Sequence, residues 1–371
     1  MSEGDSTVRA RRLEGLRQAM SGAGVHLIAI APSDDFRYLV GFSPTADERA
    51  CMLLVASARA VALMPSLNAE QVAAAAPELE LIRWDDHEGP ETALRAALAR
   101  VSAATVDRLA VNAEMRADHL LLLQAVLPGA QTVSASEVVG GLREVKDRDE
   151  LDALQRSSDV ADRAMLAAFE ELRSGATELQ VADAVARAFG SAGSAVEFAS
   201  VCGGANGAFP HHHPGARPLQ PGDAVVIDLG GRLDGYASDI TRMAFIGEPS
   251  ERYREVHAIV EAAVVAALAA SRPGAACAEV DAAARSVIER AGYGEYFVHR
   301  TGHGLGLSTH EPPWMMRGCE ARLRRGMVHS VEPGIYLPGE FGLRLEEIVH
   351  VTETGCERLS SLPREVHVAE R

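Results

Sequence analysis

Lysine is almost missing from this sequence: of its 36 Lys and Arg residues, only Lys146 is a lysine. Arginine supplies the rest, which reads as coding bias and leaves little room for a lysine nucleophile. Positive charge is scarce overall. Acidic residues number 52 and the net charge is −16 at neutral pH, so the basic face needed for phosphate-driven nucleic-acid binding is lacking. Cysteine is sparse too: Cys51, Cys202, Cys277, Cys319 and Cys356 are odd in number, stand far apart and form no Cys-x-x-Cys. That argues against a disulfide framework or a zinc–thiolate site and fits a reducing cytoplasm. Long apolar runs are absent as well. Around residue 265 the uncharged stretch 262–271 is about half a membrane span, and the opening MSEGDSTVRARRLE has no apolar centre of the signal-peptide kind. Neither a membrane nor a nucleic-acid partner is expected.

What is present is the composition of a soluble globular protein, 47% hydrophobic and 24% charged. A length of 371 residues exceeds one ordinary core and implies two domains. The pattern is α/β (α+β). In the first domain, 1–139, helical spacing over 9–21 precedes a buried strand at 25–30, strands at 50–56 and 60–64, and a helix at 68–76. His26, His87 and His119 stand singly and read as structural. Residues 140–147 are small and charged, as in a linker. The second domain, 148–371, opens with a long amphipathic helix, and Thr177 with Gln180 has capping-box spacing for the next one.

The second domain contains an internal repeat. Leu219-Gln-Pro-Gly222 and the apolar run ending at Asp228 match Leu323-Arg-Arg-Gly326 and the run ending at Glu332, position for position. Gly175-Ala176 with Val181 and Val185 corresponds to Gly274-Ala275 with Val280 and Val287, and a second carboxylate follows each run, Asp239 and Glu346. About 100 residues is too long for a solenoid unit. Two similar αβ halves facing each other, with four carboxylates at their seam, are expected.

Asp234-Gly235 suits a two-residue hairpin turn, which sets Asp228 opposite Thr241 and Gly230 opposite Asp239. Asp228 and Asp239 then share a sheet face within about 7–8 Å. Acids at the ends of apolar strands are costly to bury without partners. With His303 in the glycine-rich Gly302-His303-Gly304-Leu305-Gly306, and with Glu332 and Glu346, the set suits two divalent cations. Oxygen ligands plus one imidazole suit Mn2+, Fe2+, Co2+ or Zn2+ rather than a thiophilic site, and Mn2+ is the expected ion. Two such ions activate water for hydrolysis.

These residues carry a resemblance. Pro210-His211-His212, Val226-Ile227-Asp228, Ser238-Asp239-Ile240-Thr241-Arg242, Gly302-His303-Gly304-Leu305-Gly306, His310-Glu311, Ser330-Val331-Glu332-Pro333-Gly334-Ile335-Tyr336 and Arg344-Leu345-Glu346-Glu347 are similar, in order, to the motifs of pita-bread metallopeptidases. The likeness is to the proline-specific branch, Xaa-Pro dipeptidases (prolidases) and Xaa-Pro aminopeptidases, and 1–139 resembles the creatinase-type domain of that family. The resemblance implies Asp228, Asp239, His303, Glu332 and Glu346 as metal ligands, with Asp239 and Glu346 bridging two ions. It implies His211 and His310 as catalytic contacts to substrate and Glu332 as general base. His299 would border the substrate, while Thr241 and Arg344 would orient the ligand carboxylates. His212 and His213 read as a solvated turn, and His257, His329, His350 and His367 as structural. A dipeptidase must read the free carboxylate of the C-terminal proline, for which Arg317 is the candidate; Trp314 is a candidate to pack on the proline ring. The expected partners are proline-containing di- or oligopeptide substrates and a second copy of the chain in a homodimer. Two alternatives stay open: an Xaa-Pro aminopeptidase (aminopeptidase P) acting on longer peptides, and a non-enzymatic interaction module on the same fold.

Overall fold

The all-apolar run Leu27-Ile28-Ala29-Ile30 is buried at every position, as a strand covered on both faces must be. In the computed structural model, which describes residues 3–101 and 105–370, this run lies at the centre of a six-stranded sheet. The outermost residues of the two expected domains, Met1 and Arg371, fall outside the described residues. The chain divides into two compact units, Met1–Arg143 and Glu144–Arg371.

The first unit follows the order α1 (Glu3–Gly22), β1 (Leu27–Ile30), α2 (Asp34–Val40), β2 (Met52–Ala56), β3 (Ala60–Pro65), α3 (Ser66–Ala75), β4 (Glu80–Trp84), α4 (Glu91–Val101), β5 (Arg108–Val111), α5 (Ala117–Val126), β6 (Gln131–Ser134) and α6 (Ser136–Arg143). Its sheet runs β4-β3-β2-β1-β5-β6. The pairing is mixed, with β2 antiparallel to β1 and β3 while β5 lies parallel to β1. Leu94, Ala97 and Leu98 of α4 pack on Leu54, Val61 and Leu63 of the sheet.

Residues 140–147 are not the loose linker their composition suggests. Residues 140–143 complete α6, Val145 bridges to Met327, and Lys146 N donates to Gly326 O at 2.8 Å. The small, charged composition conceals an ion pair: Lys146 Nζ lies 2.7 Å from Glu311 Oε1, with the two side chains 1% and 6% exposed. No nearby residue announces that partner, which is 165 positions away.

The second unit starts with α7 (Arg148–Glu171), α8 (Glu178–Ser191), β7 (Ala195–Gly203), β8 (Ala224–Leu233) and β9 (Tyr236–Ile246). It continues with α9 (Glu251–Ala270), α10 (Cys277–Arg290), β10 (Gly302–Gly304), β11 (Glu311–Met315), β12 (Val328–Val331), β13 (Gly334–Leu337), β14 (Phe341–Arg344), β15 (Glu347–Val351), β16 (Cys356–Arg358) and β17 (His367–Ala369). Both reciprocal bonds of the Thr177–Gln180 capping box form at the start of α8. The strands make a sheet β17-β9-β8-β7, a sheet β11-β10-β12-β15-β16 and a ribbon β13-β14. Among the described residues no helix is long and apolar enough to cross a membrane.

The repeat read from the sequence extends to individual hydrogen bonds. Gly175 N donates to Leu219 O and Leu219 N to Ala176 O, at 2.9 and 2.8 Å. In the second half Gly274 N donates to Leu323 O and Leu323 N to Ala275 O, at 2.8 and 2.9 Å. Leu219 and Leu323, each 1% exposed, anchor these two clasps in the cores of their halves. Each clasp ties the junction of a helix pair to the segment that leads into a carboxylate-bearing strand, Asp228 within β8 and Glu332 just after β12.

Candidate active site

Strand register brings the first two carboxylates together. The β8–β9 hairpin pairs Asp228 with Thr241 and Gly230 with Asp239, so the acids share a face. Its two-residue turn takes Asp234 and Gly235 at φ 52° and 91°, the left-handed pair that matches the twist of the strands. The second half adds His303 from β10, Glu332 just after β12 and Glu346 between β14 and β15. Ligand atoms of His303, Glu332 and Glu346 lie within 4.8 Å of one another, and so do those of Asp228, Asp239 and Glu346. A third set within that distance joins Asp239 to His303 and His310. Asp239, His303 and Glu346 therefore each belong to two sets.

The electrostatics of this cluster favour cations. Burial, then the charges of Glu332 and Asp228, push the Glu346 carboxyl up to about 8. Burial and the charges of Glu346 and Asp228 likewise raise Asp239 well above the usual carboxylate range. Glu332 goes the other way: burial opposes its ionisation, but the hydrogen bond from His303 holds it down to about 2. His303 Nδ1 lies 3.0 Å from Gly304 O, and since a carbonyl only accepts, Nδ1 carries a proton. Its Nε2 then faces Glu332 Oε1 at 3.3 Å and Asp239 Oδ2 at 3.7 Å. Without an ion Nε2 carries the proton that serves Glu332; a divalent ion at that point would take the proton's place, and an imidazole fixed through a backbone carbonyl is how metal-binding histidines are oriented.

Thr241 and Arg344 hold the carboxylates in place. Thr241 Oγ1, fully buried, lies 2.9 Å from Asp228 Oδ1 and 2.8 Å from Glu346 Oε2, with one proton to offer the pair. It accepts from Arg344 Nε at 3.0 Å, while Arg344 Nη2 reaches Asp228 Oδ2 at 2.7 Å. Arg344 Nη1 donates to Tyr336 Oη at 2.8 Å, and Tyr336 Oη meets His299 Nε2 at 2.8 Å. His299 Nδ1 donates to Arg300 O at 2.7 Å. His299 borders the cavity as expected, but both of its nitrogens are taken, so it supports its neighbours rather than a substrate.

The carboxylates open into a cavity of about 780 Å³ that His211, His299, Arg300 and His310 also line. His310 packs edge-on to His303, ring centroids 4.2 Å apart, and burial with the charges of His303 and Arg300 depresses it to about 4. Arg317 does not reach the cavity. It stands 72% exposed and pairs with Glu289 at 2.6 Å, because the turn after β11 carries it outward to α10. Sequence reasoning also missed Glu178. That fully buried acid accepts from Gly203 N, Asn206 Nδ2 and Gly215 N at 2.9–3.0 Å and faces His212 Nε2 at 3.3 Å, tying down both ends of the loop that carries His211. His212 is therefore anchored rather than free in solvent. Nothing local separates Glu178 from a surface acid in a helix's first turn.

His329 gives the unit a pH dependence. It is fully buried on β12, and burial depresses it to about 4. An unfolded histidine titrates near 6.5, so below that the unfolded chain takes up the proton first. Stability is expected to fall by about 3 kcal/mol as pH drops from roughly 6.5 to 4. Thermal melts across that window check it: His329→Gln should flatten the slope, and an unchanged slope would remove His329 as its source.

Comparison with known proteins agrees with this geometry. Residues 152–353 match the family described as Metallopeptidase family M24, and residues 12–145 match the Creatinase/Prolidase N-terminal domain. A relative called probable dipeptidase PepE, from Mycobacterium tuberculosis, is 41% identical over 370 residues, which covers 98% of this chain and 97% of that protein. An Xaa-Pro dipeptidase of Lactobacillus delbrueckii subsp. lactis is 30% identical over 361 residues, 96% of this chain and 98% of that protein. The crystal structure of dipeptidase PepE from Mycobacterium ulcerans superposes with a TM-score of 0.92 at 40% identity and covers 99% of both chains. Fold and site together define a pita-bread peptidase with a creatinase-type N-terminal domain. The chain belongs to metallopeptidase family M24.

Proposed function

We propose that this chain is an Xaa-Pro dipeptidase that works with two divalent metal ions, Mn2+ first among them. The observation that carries the reading is the gathering of Asp228, Asp239, His303, Glu332 and Glu346 into overlapping sets of potential ligands, with Glu346 common to the two that hold all five. Asp228, Asp239, His303, Glu332 and Glu346 would hold the ions, with Asp239 and Glu346 as the shared ligands that the family resemblance implies. When bound, the ions supply Lewis acidity and lower the pKa of a water at the seam.

The chain's own groups do the rest. Glu332, which borders the cavity beside His303, would accept the proton of the attacking water. His310 is neutral above about pH 4 and offers an N–H to the oxyanion that develops on the scissile carbonyl. His211, which lines the same cavity, would meet the leaving proline nitrogen. A proline nitrogen has no N–H to offer, so a site that makes no use of that donor loses nothing on proline. It also gains apolar burial, about 0.8 kcal/mol for each methylene of the ring. The same reading carries a homodimer in a reducing cytoplasm; a light-scattering mass of one chain, 39.4 kDa, would refute the dimer.

Hydrolysis of Ala-Pro, Ala-Pro-Ala and Ala-Ala by the metal-loaded protein tests the proposal. Ala-Pro should be cleaved best and Ala-Ala barely, and a chelator should abolish turnover until Mn2+ is returned. Equal kcat/KM for Ala-Ala and Ala-Pro would remove the proline specificity. Preference for the tripeptide would move the assignment to an Xaa-Pro aminopeptidase, and the absence of both metal binding and hydrolysis would leave an interaction module.

A further inference from the structure

A dipeptide's free carboxylate stands one residue beyond the scissile bond, about 3.5 Å of chain. Its reader must therefore share the cavity with the carboxylate cluster. Two arginines line that cavity, Arg300 and Arg344. Arg344 is spent, since its guanidinium already meets Thr241, Tyr336 and Asp228. Arg300 is not: among the described residues no carboxylate or carbonyl accepts from its guanidinium, although its neighbours Arg285 and Arg344 are both fully engaged.

Arg300 is also held in place without being consumed. Its guanidinium carbon lies 4.4 Å from the centroid of the Trp314 ring, a cation–π contact that holds the group without using its N–H donors. Trp314 pairs with His303 across β10 and β11, so the shelf is registered to the cluster itself. Arg300 precedes His303 by three residues, and its field reaches Glu332 and His310. An unpaired, half-buried fork next to a hydrolytic centre matches a planar anion.

Building on the dipeptidase reading, we infer that Arg300, propped on Trp314, binds the free C-terminal carboxylate of the substrate and so selects dipeptides over longer chains. Arg317 has no part in this.

The test compares Ala-Pro with its C-terminal amide. Wild-type protein should prefer the acid by about 10–100-fold in kcat/KM, mostly through KM. Arg300→Met should close that gap, Arg300→Lys should restore part of it, and Trp314→Leu should narrow it. Arg317→Met should leave the ratio at the wild-type value. Equal losses on acid and amide in Arg300→Met, or a preference that survives it, would overturn the inference. A separate arm needs no turnover: calorimetric binding of proline and prolinamide to the metal-loaded protein, where wild type should favour proline and Arg300→Met should not. Should Ala-Pro resist cleavage altogether, the dipeptidase reading falls. The calorimetric arm still decides Arg300, and equal binding of the two ligands by wild type would overturn its role.

Discussion

Asp239→Asn is expected to cut kcat/KM by about three orders of magnitude or more while the protein stays folded. Asp239 belongs to both the His303 and the Asp228 sets. On the proposed two-ion reading Asp239 is a bridging ligand; an amide cannot bridge two cations as an anion does, and losing the bridge would remove several kcal/mol of transition-state stabilisation. The chelated protein should not suffer. Asp239 is 9% exposed among Glu346, Asp228 and Glu332, and their charges oppose its own. Asparagine has no carboxyl to bury or to neutralise among them, so the chelated variant should melt no lower than chelated wild type. Turnover, metal content and melting temperature, with and without chelator, form the measurement. Near-normal turnover in a folded variant would sink the two-ion assignment.

Glu347→Gln should act on stability instead. Glu347 is fully buried, and its Oε1 receives Arg242, Arg364 and Arg358 at 3.0, 2.9 and 3.1 Å. Arg242 is itself 1% exposed. The exchange leaves that guanidinium buried without its counter-charge, which costs about 3–5 kcal/mol. In a unit of this size that is about 10 °C of melting temperature. A shift within about 2 °C would mean that the backbone acceptors around Arg242 already satisfy it, and the ion pair would lose its structural importance.

The legible parts of this molecule were those written in local chemistry. The Asp234-Gly235 turn sets the register that joins Asp228 to Asp239, because a two-residue hairpin turn fixes which residues face each other across the strands. Glu332 and Glu346 followed from the repeat, since each half reuses the same clasp. Long-range electrostatics were not legible. Lys146 and Glu311 are 165 residues apart, and Glu178 meets its donors 25–37 positions away. Before folding, such residues look like surface charges. Arg317 failed for a related reason. Spacing along β11 gave its distance in residues from His310, but not the direction in which the turn beyond the strand would send it. Arg300 carried no sequence signal of its own; what marks it is an absence of partners, and that exists only in three dimensions.

The chain's sole ε-amine is sealed against Glu311, on the strand that follows His310. Gly306 lies close enough that a Cβ there would come within 3.0 Å of Lys146 Cε. An acylating reagent can therefore modify Lys146 only when this corner of the catalytic unit opens, and no other side-chain amine competes for it. The rate of that single modification is a direct reading of local opening beneath the site. A ligand that stiffens the 303–311 segment would be seen as protection of one lysine, in a protein that carries no other.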